Sequence, residues 1–133
     1  MRIAIVGSRD FNDAQLMYDV MSNVIHKFGE QEYIVVSGTA RGADRLGEEY
    51  AQFVGFDVER YPADWNTYGK GAGHIRNRQM AEISDIIVAF WDGKSTGTKN
   101  MIHTSEQLGK HVFVVNYNDL SKSYYIKPKE EKS

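Results

Sequence analysis

The chain contains no cysteine. That excludes disulfides, thiolate catalysis and cysteine-held zinc. Its four histidines, His26, His74, His103 and His111, show no metal-ligand spacing, so neither a metal nor a cofactor is expected. The apolar runs are four to six residues long, far short of a membrane span. Arg2 leads directly into Ile3-Ala4-Ile5-Val6, which leaves no room for a signal peptide and points to the cytoplasm, or the host cytoplasm if a phage encodes the chain. No charge of one sign dominates: 16 Lys and Arg stand against 18 Asp and Glu, a formal net charge of -2. That balance argues against non-specific DNA affinity, so nucleic acid is not expected as a partner.

What remains is an ordinary globule of 133 residues, 41% hydrophobic and 26% charged, long enough to bury one core. The elements alternate. Strand Ile3–Val6 precedes a helix over Ala14–Phe28, whose apolar residues recur at helical spacing, with Asn12 or Asp13 to cap it and Gly29 to stop it. Strand Tyr33–Ser37 feeds a second helix ended by Gly55, with Leu46, Tyr50, Ala51 and Val54 on one face. Phe56–Tyr61 alternates as an edge strand does. Pro62–Gly73 has no period and reads as a long loop, followed by a helix over Ile75–Ser84. Ile86–Trp91 is the kind of apolar run found in a central parallel strand. A loop over Asp92–Gly97, a helix to Leu108 and a strand over Val112–Val115 complete the pattern. Leu120–Ile126 shows no clean period, and Lys127–Ser133 reads as a charged, disordered tail. Tyr124-Tyr125-Ile126 offers apolar surface, either for a dimer or to cover the sheet edge. We therefore expect an α/β fold: a Rossmann-like, doubly wound, mainly parallel five-stranded sheet with helices on both faces. Residues 1–118 form the ligand-binding domain, and 119–133 a C-terminal extension and tail.

Ligands of such sheets bind at the carboxyl ends of the strands. Four strand-to-helix windows, residues 7–13, 37–47, 64–78 and 92–99, hold eight cations against five acids, which leaves the rest of the chain acidic. That concentration suits a compact anion. In Ser37-Gly38-Thr39-Ala40-Arg41-Gly42-Ala43-Asp44 a Gly-rich turn opens a helix, where backbone N–H groups and the helix dipole favour phosphate. Arg41 adds a bidentate cation. The alternative is a plain closed turn with Asp44 pairing Arg41 or Arg45. Gly7-Ser8-Arg9-Asp10-Phe11 follows the first strand but is not G-x-G-x-x-G. In the third window Trp65 offers a flat face, as does Tyr68, and Lys70, Arg76 and Asn77 can reach an anion or a sugar hydroxyl. Trp65 and Tyr68 serve equally as a lid, Arg78 faces solvent, and His74 is the one histidine within reach of the site. Asp92-Gly93-Lys94-Ser95-Thr96-Gly97-Thr98 offers hydroxyls and N–H groups without Walker spacing, and Asp92 either accepts from ribose or caps the turn.

Together these stretches resemble the SLOG superfamily, which includes the DNA-processing protein A domain and the LOG phosphoribohydrolases. The likeness is greatest to its small stand-alone YspA-like branch and runs from Ile3 to about Asn116. It rests on Gly7–Phe11, Ser37-Gly38…Ala40-Arg41-Gly42…Asp44, Asp64-Trp65…Tyr68-Gly69-Lys70…Gly73…Arg76-Asn77…Met80, and Gly97-Thr98. The resemblance implies a nucleotide-derived ligand. It also implies, for the LOG enzymes, an arginine in an R-K-x-x-M-like helix start and a glutamate three residues beyond a Gly-Thr pair. Arg76-Asn77-Arg78-Gln79-Met80 matches the first with Asn for Lys, while the glutamate position is Met101, which cannot ionise. The expected function is thus binding of a phosphate- and ribose-containing small molecule as a sensor or scavenger of a nucleotide signal. The alternatives are an N-glycoside or phosphate-ester hydrolase using Asp10, Asp64 or Asp92, and single-stranded DNA binding.

Overall fold

The computed structural model describes residues 1–128. Its six strands run β1 (Arg2–Gly7), β2 (Ile34–Ser37), β3 (Asp57–Arg60), β4 (Ile86–Trp91), β5 (His111–Asn116) and β6 (Tyr124–Ile126). The helices are α1 (Ala14–Phe28), α2 (Ala43–Val54), α3 (Trp65–Tyr68), α4 (Ala72–Ile83) and α5 (Thr96–Gln107). The sheet order is β3-β2-β1-β4-β5-β6, parallel throughout except for the antiparallel β5–β6 pair. The chain winds outward from β1 to β3, then crosses to β4 and β5. The switch in strand order therefore falls between β1 and β4, where such sheets open a crevice at their carboxyl ends.

Strand alternation divides the core into two layers. Ile3, Ile5, Ile86, Val88 and Phe90 face Met17, Met21 and Val24 of α1 and Ala43, Tyr50 and Ala51 of α2. Ala4, Val6, Ile87 and Ala89 face Met80 and Ala81 of α4 and Met101 and Ile102 of α5. Covered on both faces, β4 is apolar along its whole length.

Three expectations are revised. The sheet has six strands rather than five, because β6 adds to β5 through Phe113 stacked on Tyr125 at 4.5 Å and a 2.6 Å contact between His111 Nδ1 and the Tyr125 hydroxyl. Three residues are too few to show a period. The stretch Pro62–Gly73 is not a loop. Asp64 caps the single turn of α3 by accepting from the Thr67 N–H at 3.1 Å, a tight turn over Gly69–Gly71 follows, and α4 begins at Ala72. One turn is again too short for periodicity. On α2 the buried face is Ala43, Gly47, Tyr50 and Ala51, while Val54 is 40% exposed. Gly47 lets that face close, since a Cβ there would lie 2.8 Å from Ile5 Cγ2. The expected tail falls largely on residues 129–133, outside the described residues.

Candidate functional site

A cavity of about 600 Å³ opens over the carboxyl ends of β1 and β4. Each wall comes from one strand-to-helix connection. Gly7, Ser8, Arg9 and Asp10 leave β1; Arg41 and Asp44 open α2; Trp65, Lys70, Arg76 and Asn77 come from α3, the turn after it and α4; Asp92, Ser95, Gly97 and Thr98 lead into α5. Four cations and three carboxylates thus meet there. Among the described residues Arg9, Arg41 and Lys70 form no ion pair.

Arg76 is the fixed cation. Its Nη1 donates to the Gly38 carbonyl at 2.5 Å and its Nε to Asn77 Oδ1 at 3.2 Å. Of its five N–H donors, these contacts leave three unmatched. Burial and the neighbouring Arg9 push its pKa down against the pull of Asp44, yet an arginine remains charged. Asn77 holds that geometry: its amide donates to the Gly97 carbonyl at 3.2 Å and to Asn100 Oδ1 at 3.1 Å. It therefore ties α4 to α5 and aims Arg76, with no donor left for a ligand.

Asp44 is only 6% exposed. Burial raises its pKa to about 6, opposed by the Ala40 N–H and by Arg76; that N–H reaches Oδ2 at 3.2 Å. Asp44 thus pairs with neither Arg41 nor Arg45 within ion-pair distance. Asp92 lies at the other extreme. Burial works against its ionisation, but N–H groups of Ser95 and Lys94 and the Ser8 hydroxyl outweigh it and hold the carboxyl below its usual range. The two N–H contacts measure 2.7 and 2.8 Å, so Asp92 closes the turn into α5.

Not every residue singled out by sequence lines this cavity. Ser37 is buried, donating to Glu48 Oε2 at 2.6 Å and accepting from the Thr39 N–H at 3.1 Å. Gly42, at φ +79°, packs on the Ser8 and Arg9 carbonyls, where a Cβ would come within 2.4 and 2.5 Å. Gly38 and Thr39 line an adjoining cavity. Of the three acids proposed for hydrolysis, Asp10 and Asp92 line the site, whereas Asp64 caps α3. The Asp10 carboxylate accepts from the Tyr117 hydroxyl at 2.9 Å. His74 lines the wall, and Val6, Met80 and Met101 form an apolar floor. Sequence reasoning did not foresee that floor, although Met80 lies one helical turn beyond Arg76 and so faces the same way. The N–H groups of Thr96 and Gly97 have no intrahelical acceptor at the start of α5, and both residues line the cavity.

The model of the YspA, cpYpsA-related SLOG family matches residues 1–68. The gene 61 protein of Mycobacterium phage D29 is 34% identical over 124 residues, covering 89% of this chain and 97% of that protein. This chain belongs to that SLOG family. A structure of DNA processing protein A from Helicobacter pylori, described for its single-stranded DNA binding mode, superposes with a TM-score of 0.62. The match covers 86% of this chain but 65% of that one, at 22% identity. At that identity the likeness establishes the fold, Rossmann-like as the SLOG motifs imply. It also corrects the argument that set nucleic acid aside: a chain of this fold binds single-stranded DNA, and net charge does not report what one cavity can hold. Among the described residues no helix is long and apolar enough to cross a membrane.

Proposed function

We propose that this SLOG protein binds a phosphate- and ribose-containing nucleotide ligand in the cavity between β1 and β4, as a sensor or scavenger of a nucleotide signal. The observation that carries this reading is the convergence of Arg9, Arg41, Lys70 and Arg76 on one cavity, none of them in an ion pair with a carboxylate among the described residues. Unmatched cations gathered at a concave surface cost electrostatic energy, and a phosphate relieves it. The turn Asp92–Thr98 adds hydroxyls and the α5 N-terminus. Thermal denaturation against nucleoside mono-, di- and triphosphates, cyclic nucleotides and ADP-ribose tests it. A saturable rise in Tm following RT ln(1 + [L]/Kd) is expected. A flat response across the panel, with no nucleotide released on denaturing protein purified from cells, removes the reading.

Single-stranded DNA binding is the second reading. It is favoured by Trp65 and Tyr68, 53% and 49% exposed, which can stack bases beside the cations. An affinity for a thymidine oligonucleotide that falls steeply with salt supports it. Binding that is absent at low salt refutes it.

A further inference from the structure

A second cavity of about 500 Å³ adjoins the first and shares its wall of Arg9, Ala40, Arg41, Trp65 and Arg76. Each lobe alone falls in the range of roughly 300–1,000 Å³ typical of a whole small-molecule site. The partition between them carries three of the four cations of the first lobe. Beyond that partition the second lobe is lined by Gly38, Thr39, Pro62 and Ala63, with no carboxylate, whereas the first holds Asp10, Asp44 and Asp92. The lobes therefore differ in chemistry. The first can recognise hydroxyls and base edges; the second, beside Trp65, can accept a ring while its charge favours an anion.

The backbone supports a built second lobe. Thr39 sits at φ 65°, a left-handed conformation that a β-branched residue rarely adopts. The turn is held there by the Ser37 and Asp44 side chains, which accept from the Thr39 and Ala40 N–H groups. Local strain of this kind persists where a site over-determines it. Gly38 has no room for a side chain, since a Cβ would lie 2.7 Å from both Arg76 Nη1 and Asp44 Oδ2.

We propose that the ligand has two nucleotide units, one in each lobe, with the phosphate that joins them seated on Arg9, Arg41 and Arg76. This rests on the nucleotide-binding reading above. The chemistry is shared by a free dinucleotide and by two consecutive residues of a single strand.

Calorimetry on the full chain compares adenosine monophosphate, linear and cyclic diadenylate, and short adenine-rich DNA and RNA strands. A two-unit probe, free or within a strand, binds at least about tenfold more tightly than the monophosphate. Ala63 is partly buried and lines the second lobe alone, so Ala63→Trp fills that lobe. It removes the about tenfold advantage while monophosphate affinity and the circular dichroism spectrum stay unchanged. A dinucleotide that outbinds the strands identifies the free ligand as the source; equal binding identifies the strand. If the monophosphate binds but no two-unit probe binds more tightly, the two-unit proposal falls and the nucleotide reading stands. If A63W weakens both classes equally, the second lobe is not a subsite. If no probe binds, the two-unit proposal falls, and the wider nucleotide panel above decides the nucleotide reading.

Discussion

Asp44 gives the strongest test of how this site is built. Its carboxyl is buried and displaced from its ordinary 3.8 to about 6. That displacement is a penalty of about 3 kcal/mol on the ionised form. Burial is the cause, and neither the Ala40 N–H nor the attraction of Arg76 cancels it. The sign follows. Between about pH 4 and 6 the native state holds a proton that the unfolded chain has released, so stability rises as pH falls through this window. Above it the charge destabilises the fold in full. Asp44→Asn keeps an acceptor for the Ala40 N–H and removes the charge. After allowance for placing the new amide beside Arg76, the variant gains about 1–2 kcal/mol at pH 7, or about 4–8 °C in Tm for a domain of this size. The gain disappears near pH 4. Urea denaturation of both proteins from acid to neutral pH reads this directly. A variant less stable than the parent by more than about 1 kcal/mol at pH 7, or an advantage independent of pH, refutes the reasoning. The same carboxylate opposes an anionic ligand on Arg76. Affinity for a phosphodiester, which does not itself titrate here, rises as pH falls through about 6 and does so less in the Asn variant.

The remaining predictions concern single contacts. Arg76→Lys keeps the charge but cannot hold the Gly38 carbonyl and Asn77 Oδ1 together. It weakens nucleotide affinity by about tenfold or more in calorimetry, and unchanged affinity removes Arg76 from the site. Gly42→Ala places a Cβ 2.4 Å from the Ser8 carbonyl at φ +79°. It lowers unfolding free energy by about 2–4 kcal/mol, and a loss below about 1 kcal/mol shows that the α2 start can shift. Met101→Glu puts a carboxylate at a position 1% exposed among apolar side chains. It destabilises the fold by about 3 kcal/mol or more and releases no free base from nucleotides; appearance of free base overturns that view of the floor.

Much of the site was legible because parallel α/β sheets place every strand-to-helix turn on one edge. Gly7–Asp10, Arg41–Asp44 and Asp92–Thr98 could be gathered into one wall from topology alone. The roles of individual polar groups were not legible. Asp92 read equally well as a ribose acceptor or as a cap, and Asp64 read only as a candidate acid; that both are caps depends on which N–H groups turn toward them. Asn77 seemed a ligand contact, but its partners on α5 lie 20 and 23 residues away in sequence. The second lobe was invisible for a related reason: Pro62 and Ala63 carry no recognisable chemistry and matter only because β3 lies beside β2. The sixth strand was missed because β6 is fixed by contacts across to β5, not by any pattern of its own.

The departure at Met101 takes on a different meaning once its surroundings are known. A surface Met in place of a catalytic acid would be a simple deletion. Met101 instead packs with Met80, Ala89 and Ile102 under the cavity, so the position at which the LOG resemblance implies a glutamate lies in the core. The side chains that would have shared a site with a carboxylate now exclude water from it. At the rim, the carboxylates that remain are occupied: Asp10 by Tyr117, Asp92 by its own turn, Asp44 by the Ala40 N–H. Of the cations, Arg76 is held by the Gly38 carbonyl and Asn77, while Arg9, Arg41 and Lys70 form no ion pair among the described residues. Engaged acids beside three cations without ion pairs support the proposed anionic ligand.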